Sequence, residues 1–314
     1  MNSPSIRGDI IEEGDTVILY FSMTNISLVD KITAEGTTHN ACGFFRHSDI
    51  IGKPFGSKIH PRLRSEYPRP VQVLKPTPEL FTLSIPHRTQ IIYHADISMI
   101  MMGLNILPGS QVAEAGTGSA SLSYSIGYTI GPRGRLHTFE IDHQRAVHNR
   151  QLLGNALPDG VVTVTERDVV SQGFPEDISV DSVFLDLPSP WLAIVGAACI
   201  LKENGRICTF SPSIEQVSKN VSALNECGFH EIKTVEVMLK PWGLDLPRQP
   251  QIGEKRKQSS SQDNECMRSF QLPMRGHTSY LTFAVKKLAD EREFPLSVLS
   301  LTSISSSAKP KKNE

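Results

Sequence analysis

The stretch Val112-Ala113-Glu114-Ala115-Gly116-Thr117-Gly118-Ser119-Ala120 decides the fold. An apolar run ends at an acid, passes through a turn of small residues and leads into Ser121-Leu122-Ser123-Tyr124-Ser125-Ile126. That order predicts a buried strand, a tight glycine turn and a helix N-terminus, where an α/β sheet accepts a nucleotide-like ligand. Gly116 and Gly118 are expected to let the backbone approach the ligand where a Cβ would collide. Alone, the string is equally compatible with an ordinary tight turn, so its surroundings must decide.

Those surroundings alternate. Residues 96–104 read as a helix ended by Pro108-Gly109. Strands are expected at 134–140, 160–164, 181–186 and 205–210, with helices near 146–153, 192–201 and 214–226. Repeated β-α units imply a parallel sheet covered by helices on both faces. Upstream, Thr16 to Phe21 and Asn25 to Val29 are rich in β-formers and predict a small N-terminal β domain, with Val71 to Leu74 as its last strand. Lys75-Pro76-Thr77-Pro78-Glu79 marks the boundary, so the expected domains are 1–75 and 76–290, followed by a disordered tail over 291–314. A polar segment at about 248–268, with Lys255-Arg256-Lys257 and a serine run, cannot build a core and is expected as a disordered insertion before the apolar strand at 279–285.

The 314 residues are 39% apolar, and no apolar run approaches the ~20 residues of a membrane span. Five scattered cysteines (Cys42, Cys199, Cys208, Cys227, Cys266) without CxxC spacing argue against a disulfide framework or zinc site and for a reducing compartment. The net charge of −1 hides an uneven distribution, because Arg46, Lys53, Lys58, Arg62, Arg64, Arg69, Lys75 and Arg88 crowd one segment. That segment suits either a solvated face or contact with phosphates. Arg46, His47, Lys53 and Lys58 are its candidate phosphate contacts.

Three acids carry the expected chemistry. Glu140 ends the second strand about 20 residues beyond the glycine turn, where a carboxylate can accept both hydroxyl protons of a ribose. Asp168 follows the third strand and can accept from an adenine amino group with Val169 on the ring; the alternative is a helix cap. Val183-Phe184-Leu185-Asp186-Leu187-Pro188-Ser189-Pro190-Trp191 runs a fourth strand into an acid, then fixes the backbone with two prolines. Asp186 is thereby expected to face the crevice, with the rigid turn and Trp191 suited to holding a planar base edge-on. A dinucleotide-dependent oxidoreductase would prefer a full G-x-G-x-x-G turn, whereas here Ser119-Ala120-Ser121 follows Gly118.

Together Glu114 to Ala120, Glu140, Asp168 and Asp-Leu-Pro-Ser-Pro-Trp resemble a class I S-adenosylmethionine-dependent methyltransferase. More narrowly, the chain is similar to catalytic subunits of tRNA methyltransferases acting on N1 of adenosine 58 in the T-loop. Residues 44–58, Pro86 to Tyr93, Ser211-Pro212-Ser213-Ile214-Glu215-Gln216 and residues 276–284 carry the likeness further. The resemblance implies a Rossmann-like sheet after a small β domain, S-adenosyl-L-methionine as cofactor, and no metal. It implies a cofactor-binding set of Gln90, Ile91, Glu114, Gly116, Gly118, Ser119, Ala120, Glu140, Arg145, Asp168, Val169 and Asp186. Asp186 is the expected catalytic carboxylate, accepting from the adenine amino group, and Tyr93 the residue that stacks on the flipped adenine. The implied partners are tRNA and a noncatalytic paralogous subunit, in a pair of heterodimers located in the nucleus. The alternatives are the noncatalytic RNA-binding paralogue itself or another methyltransferase of RNA, including a mitochondrial relative. The retained glycine turn and acid disfavour the paralogue; early acids (Asp9, Glu12, Glu13, Asp15) disfavour a mitochondrial presequence. One departure from the family's turn is Ala120 in place of a third glycine, expected to be tolerated as a good residue for a helix's first turn.

Overall fold

A computed structural model describes residues 9–22, 25–40, 43–62, 69–86, 88–238, 242–245, 266–269 and 279–287. The N-terminal region holds β1 (Val17–Ser22), β2 (Asn25–Val29), β3 (Thr37–Asn40), β4 (Gly43–Arg46), β5 (Lys58–Ile59) and β6 (Val71–Leu74). Four of these form an antiparallel sheet in the order β2-β1-β6-β5, and β3 pairs with β4 as a hairpin. Val17, Leu19, Val71 and Val73 alternate inward and build a core with Ile11, Phe45 and Ile50.

Two short helices lead onward: α1 (Pro78–Ser84) and α2 (His94–Gly103). The Thr77 hydroxyl accepts from Leu80 N and Pro78 opens the helix, a favoured N-terminus for so brief a segment. Phe81 of α1 stacks on Tyr124 with ring centroids 3.9 Å apart, and the Tyr124 hydroxyl donates to the Pro76 carbonyl. The connection is thus fastened to the next helix at both ends.

The main unit runs β7 (Gln111–Ala115), α3 (Ser121–Ile130), β8 (Arg135–Glu140), α4 (His143–Ala156), β9 (Val162–Glu166), α5 (Val169–Gln172), β10 (Val180–Leu185), α6 (Ile194–Ile200), β11 (Leu201–Ser211), α7 (Ile214–Glu226) and β12 (Phe229–Glu236). A separate pair, β13 (Trp242–Asp245) and β14 (Cys266–Ser269), precedes β15 (Tyr280–Lys286). The seven-stranded sheet has the order β12-β15-β11-β10-β7-β8-β9, parallel throughout except for β15. Val183 and Leu185 of β10 enter the core on one face beside α6 and α7, and Phe184 the core on the other beside α2 and α3. Burial on both faces explains why these strands read as continuous apolar runs. The sheet order reverses between β7 and β10, so their carboxyl ends, at the glycine turn and Asp186, flank the switch point.

Each strand and helix expected in the alternating region is present, most with ends displaced by a residue or two. α1, the β3–β4 hairpin and β12 were not expected. Three residues at the end of the polar segment, Cys266, Met267 and Arg268, lie in β14 and pair with β13. The segment's residues up to 265, the tail, Cys42 and His87 lie outside the described residues. Among the described residues no helix is long and apolar enough to cross a membrane.

Candidate active site

The crevice at the switch point is lined by Gln90, Ile91, Ile92, Glu114, Gly116, Thr117, Gly118, Ser119, Ser121, Leu122 and Asp186. Its enclosed part is small, about 20 Å³. Gly116 has φ +94° and Gly118 φ +55°, a left-handed region that favours glycine. The space they protect differs from the one expected. A Cβ on Gly116 would overlap the Asp186 carbonyl oxygen, and one on Gly118 would come within 2.9 Å of Thr89 Oγ1. Gly116 therefore lets the loop close against the Asp186 backbone and Gly118 against the Thr89 side chain, and Asp186 N donates to Ala115 O at 2.9 Å across the first junction. Ala120 also departs from expectation. It is the left-handed N-cap residue of α3, φ +66° and fully buried, so it lies before the helix rather than in its first turn.

The loop is strapped from outside. Ser119 Oγ accepts from Arg88 N and Thr89 N and meets Thr89 Oγ1 at 2.9 Å. Ser121 Oγ donates to Ile92 O, and Asn149 Nδ2 donates to Gly118 O. These bonds bring the Gln90–Ile92 wall onto the glycine turn.

Glu140 is 3% exposed and holds the turn as well as facing it. Its Oε2 accepts from Gly118 N at 3.0 Å; its Oε1 accepts from Asp142 N at 3.0 Å and Arg145 Nη2 at 2.6 Å. Oε1 is filled by two donors, so only Oε2 has acceptor capacity left, which narrows the expected grip on both ribose hydroxyls. Arg145 enters the site by neutralising this buried acid, and its buried Nε has no partner among the described residues.

Glu114 is 1% exposed, accepts from Ser123 Oγ at 2.5 Å, and has its pKa pushed up to about 7, chiefly by burial. The charges of Asp186 and Glu140 add to that shift. Asp186 is half-buried, and burial with the Glu140 charge raises it to about 6. Among the described residues no donor reaches its carboxylate, in contrast with Glu140. Asp186 caps no helix: the turn over Pro190–Leu192 has Ser189 as its N-cap. Trp191 lies outside the crevice lining, against the core, with Lys219 Nζ 4.5 Å above its ring.

Asp168 stands apart at the end of β9. It caps α5, accepting from Val170 N at 3.0 Å and Ser171 Oγ at 2.7 Å, and the Ser171 hydroxyl leads in holding its carboxyl below the usual range. The cap reading holds for the described geometry. Val169 is buried in the core, while Val170 is the exposed neighbour. Tyr93 is 41% exposed at the N-cap of α2.

His47 is not a surface phosphate contact. It is 5% exposed, with Nδ1 accepting from Thr33 N and Nε2 2.8 Å from Thr38 Oγ1, and burial lowers its pKa. Arg46, Lys53 and Lys58 are exposed. Nothing in the sequence around His47 signals that Gly36 packs against its ring.

A methyl donor that carries a sulfonium and an ammonium is cationic. Three mutually repelling carboxylates, Glu114, Glu140 and Asp186, stand around the glycine turn. This donor set fits such a ligand: a bound cation would offset the burial that chiefly raises Glu114 and Asp186 and the carboxylate repulsion that adds to it.

Residues 70–272 match the family described as tRNA methyltransferase complex GCD14 subunit. A tRNA (adenine(58)-N(1))-methyltransferase catalytic subunit from Cryptococcus neoformans is 44% identical over 242 residues, covering 76% of this chain and 54% of that protein. The chain thus spans about half the length of that relative. The similarly named subunit from Dictyostelium discoideum is 36% identical over 304 residues, covering 88% of this chain and 96% of that protein. Among solved structures, a SAM-dependent O-methyltransferase from Thermotoga maritima matches with TM-score 0.67 and 27% identity, covering 91% of this chain and 97% of its own. A tRNA (m1A58) methyltransferase from Aquifex aeolicus shares the fold, with TM-score 0.62, 23% identity and coverage of 89% and 99%. The fold is that of the class I methyltransferases, and the chain belongs to the family of tRNA methyltransferase complex GCD14 subunits.

Proposed function

We propose that the chain is the catalytic subunit that methylates N1 of adenosine 58 in tRNA, using S-adenosylmethionine. The observation that carries the reading is Asp186: a half-buried carboxylate at the switch point, beside the glycine turn, with no protein donor among the described residues. The names of the relatives support the substrate. In this reading the chain works with a noncatalytic paralogous subunit, in a pair of heterodimers, in the nucleus. The exposed Arg46, Lys53 and Lys58 on the N-terminal β region favour an RNA substrate. The same reading divides the chain near residue 75.

The bound donor supplies a methyl group already activated by the positive charge on its sulfur. Adenine N1 carries a lone pair, so the protein needs no strong base. Its task is alignment, together with stabilising the positive charge that grows on the adenine ring. Asp186 accepts from the 6-amino group and stabilises that charge. Tyr93 stacks on the extruded base. Glu140 and Ser119 hold the glycine turn in place, and Glu114 sits beneath it.

The test is single-turnover methylation of unmodified tRNA across pH. Asp186 must be ionised to act, so the rate should rise with pH and level off, with the limb at or below the ligand-free value of about 6 because the bound cationic donor favours the carboxylate. Asp186→Asn should lose this limb and fall by roughly 10²-fold or more at neutral pH, with donor affinity largely kept. A wild-type rate in the Asn variant would remove Asp186 from the chemistry.

A further inference from the structure

The turn that carries Asp186 is held from two sides, and the second side comes from a helix 25 or more residues further along the chain. On the first side, Asp186 N is bonded to Ala115 O and its carbonyl is packed against Gly116. On the second side stands the first turn of α7. Gln216 Nε2 donates to Pro188 O at 3.3 Å, and Lys219 Nζ lies 4.5 Å over the Trp191 ring.

The Gln216 bond is not the one its local sequence favours. Ser213-Ile214-Glu215-Gln216 has the spacing of a capping box, in which the N3 glutamine reaches back to the backbone N–H of the N-cap residue. Half of the box forms: Ser213 Oγ accepts from Gln216 N at 3.4 Å. The reciprocal half does not. Gln216 Oε1, the atom that would accept, is buried without a partner among the described residues, while Nε2 donates to Pro188 O. A glutamine that gives up its local bond, and leaves a buried oxygen unpaired, is held by what it grips. What it grips is a carbonyl between two prolines, in a stretch where neither Pro188 nor Pro190 has an N–H to tie the turn down. Lys219, one helical step further on the same face, pins the other end of the turn through Trp191.

We propose that Gln216 is a positioning residue for methyl transfer, bracing the Pro188–Trp191 turn with Lys219 so that the Asp186 carboxylate stays aimed into the crevice. This rests on the catalytic reading of Asp186 given above. The charged groups that act on Asp186 are Glu114 on β7 and Glu140 on β8, the latter paired with Arg145 on α4, while Lys219 on α7 reaches the turn only at Trp191. Loosening the turn lets water reach Asp186 and moves it away from Glu140, so its ionisation should return toward that of an ordinary carboxylate.

The experiment measures single-turnover methylation of unmodified tRNA against pH, together with donor affinity and melting temperature, for the full chain with its partner subunit. Gln216→Ala should lower the rate about 10-fold through misalignment, keep donor affinity within about 2-fold, and shift the acid limb below the wild-type value. Gln216→Glu should do no better, since a carboxylate cannot donate to Pro188 O. Lys219→Arg should restore most of the rate lost in Lys219→Met, because the guanidinium also stacks on an aromatic face. Wild-type rate and acid limb in Gln216→Ala, with Asp186→Asn still impaired, would overturn the brace and leave the Asp186 reading intact. A lower melting temperature with an unmoved acid limb would overturn it too, reducing Gln216 to a structural contact. A wild-type rate in Asp186→Asn would instead overturn the reading beneath it.

Discussion

At the scale of single residues, the site is a set of costs accepted next to one another. Glu114 is fully enclosed, and its pKa of about 7 lies above the usual 4.5, so ionising it works against folding. A raised carboxylate gives stability that is whole below the unfolded pKa and is lost as pH climbs through the folded one. The loss therefore falls between about pH 4.5 and 7, on the order of 3 kcal/mol at pH 8. Glu114→Gln, which keeps an acceptor for Ser123, should raise the melting temperature of the ligand-free protein at pH 8 and flatten its fall from pH 5 to 8. An unchanged slope, by calorimetry, would mean that Glu114 ionises freely. Ala120 is the other strained residue. Its left-handed backbone costs about 1–2 kcal/mol. A glycine there would recover that strain but lose a buried methyl, worth about 0.8 kcal/mol, and add chain entropy of similar size. Ala120→Gly should therefore lie within about 1 kcal/mol of wild type, while Ala120→Val, β-branched at positive φ, should cost more than about 2 kcal/mol. Denaturant titration of both variants checks this.

At the scale of elements, each carboxylate owes its place to the end of a strand and to the start of the segment after it. Glu114, Glu140, Asp168 and Asp186 sit at or just past β7, β8, β9 and β10, which is why strand reading alone located them. Their division of labour was not legible, because it depends on partners far along the chain. Glu140 spends three acceptor positions on Gly118, Asp142 and Arg145, whereas Asp186 spends none on a side chain. Asp168 spends its carboxylate on the cap of α5, a role that competes with adenine binding. The two roles separate by substitution. Asp168→Ala should cost about 1 kcal/mol for the lost cap. Asp168→Asn keeps the cap and should cost a few tenths. Both should weaken donor binding by calorimetry if Asp168 accepts from the adenine amino group; unaltered donor affinity in both would leave it a cap only. The elements missed by sequence share a cause. The β3–β4 hairpin begins with the polar Thr37-Thr38-His39-Asn40, α1 is a seven-residue helix of about two turns among prolines, and β12 alternates charged residues on an edge. None buries a continuous apolar run, the signal on which the central strands depend.

At the scale of the whole molecule, a doubly covered sheet supplies rigidity at its switch point, and the N-terminal β region supplies a face with exposed cations. Arg62 is paired with Asp49 and Lys75 with Asp9, and His47 is buried, so the cationic face is smaller than a count of basic residues suggests. The fold was readable because parallel strands buried on both sides leave unmistakable runs between glycines. The glycine turn was readable as a ligand seat; that Gly116 makes room for the Asp186 carbonyl was not, since seventy residues separate them. The sheet joins the two into one crevice, the place where we propose that N1 of adenosine 58 is methylated. The most direct measurement incubates the chain and its partner subunit with donor and unmodified tRNA, then maps methyl-adenosine nucleotide by nucleotide. Modification is expected at position 58 on N1, and its loss in Asp186→Asn. Methylation at another nucleotide, or at position 58 at the wild-type rate in the Asn variant, would contradict it.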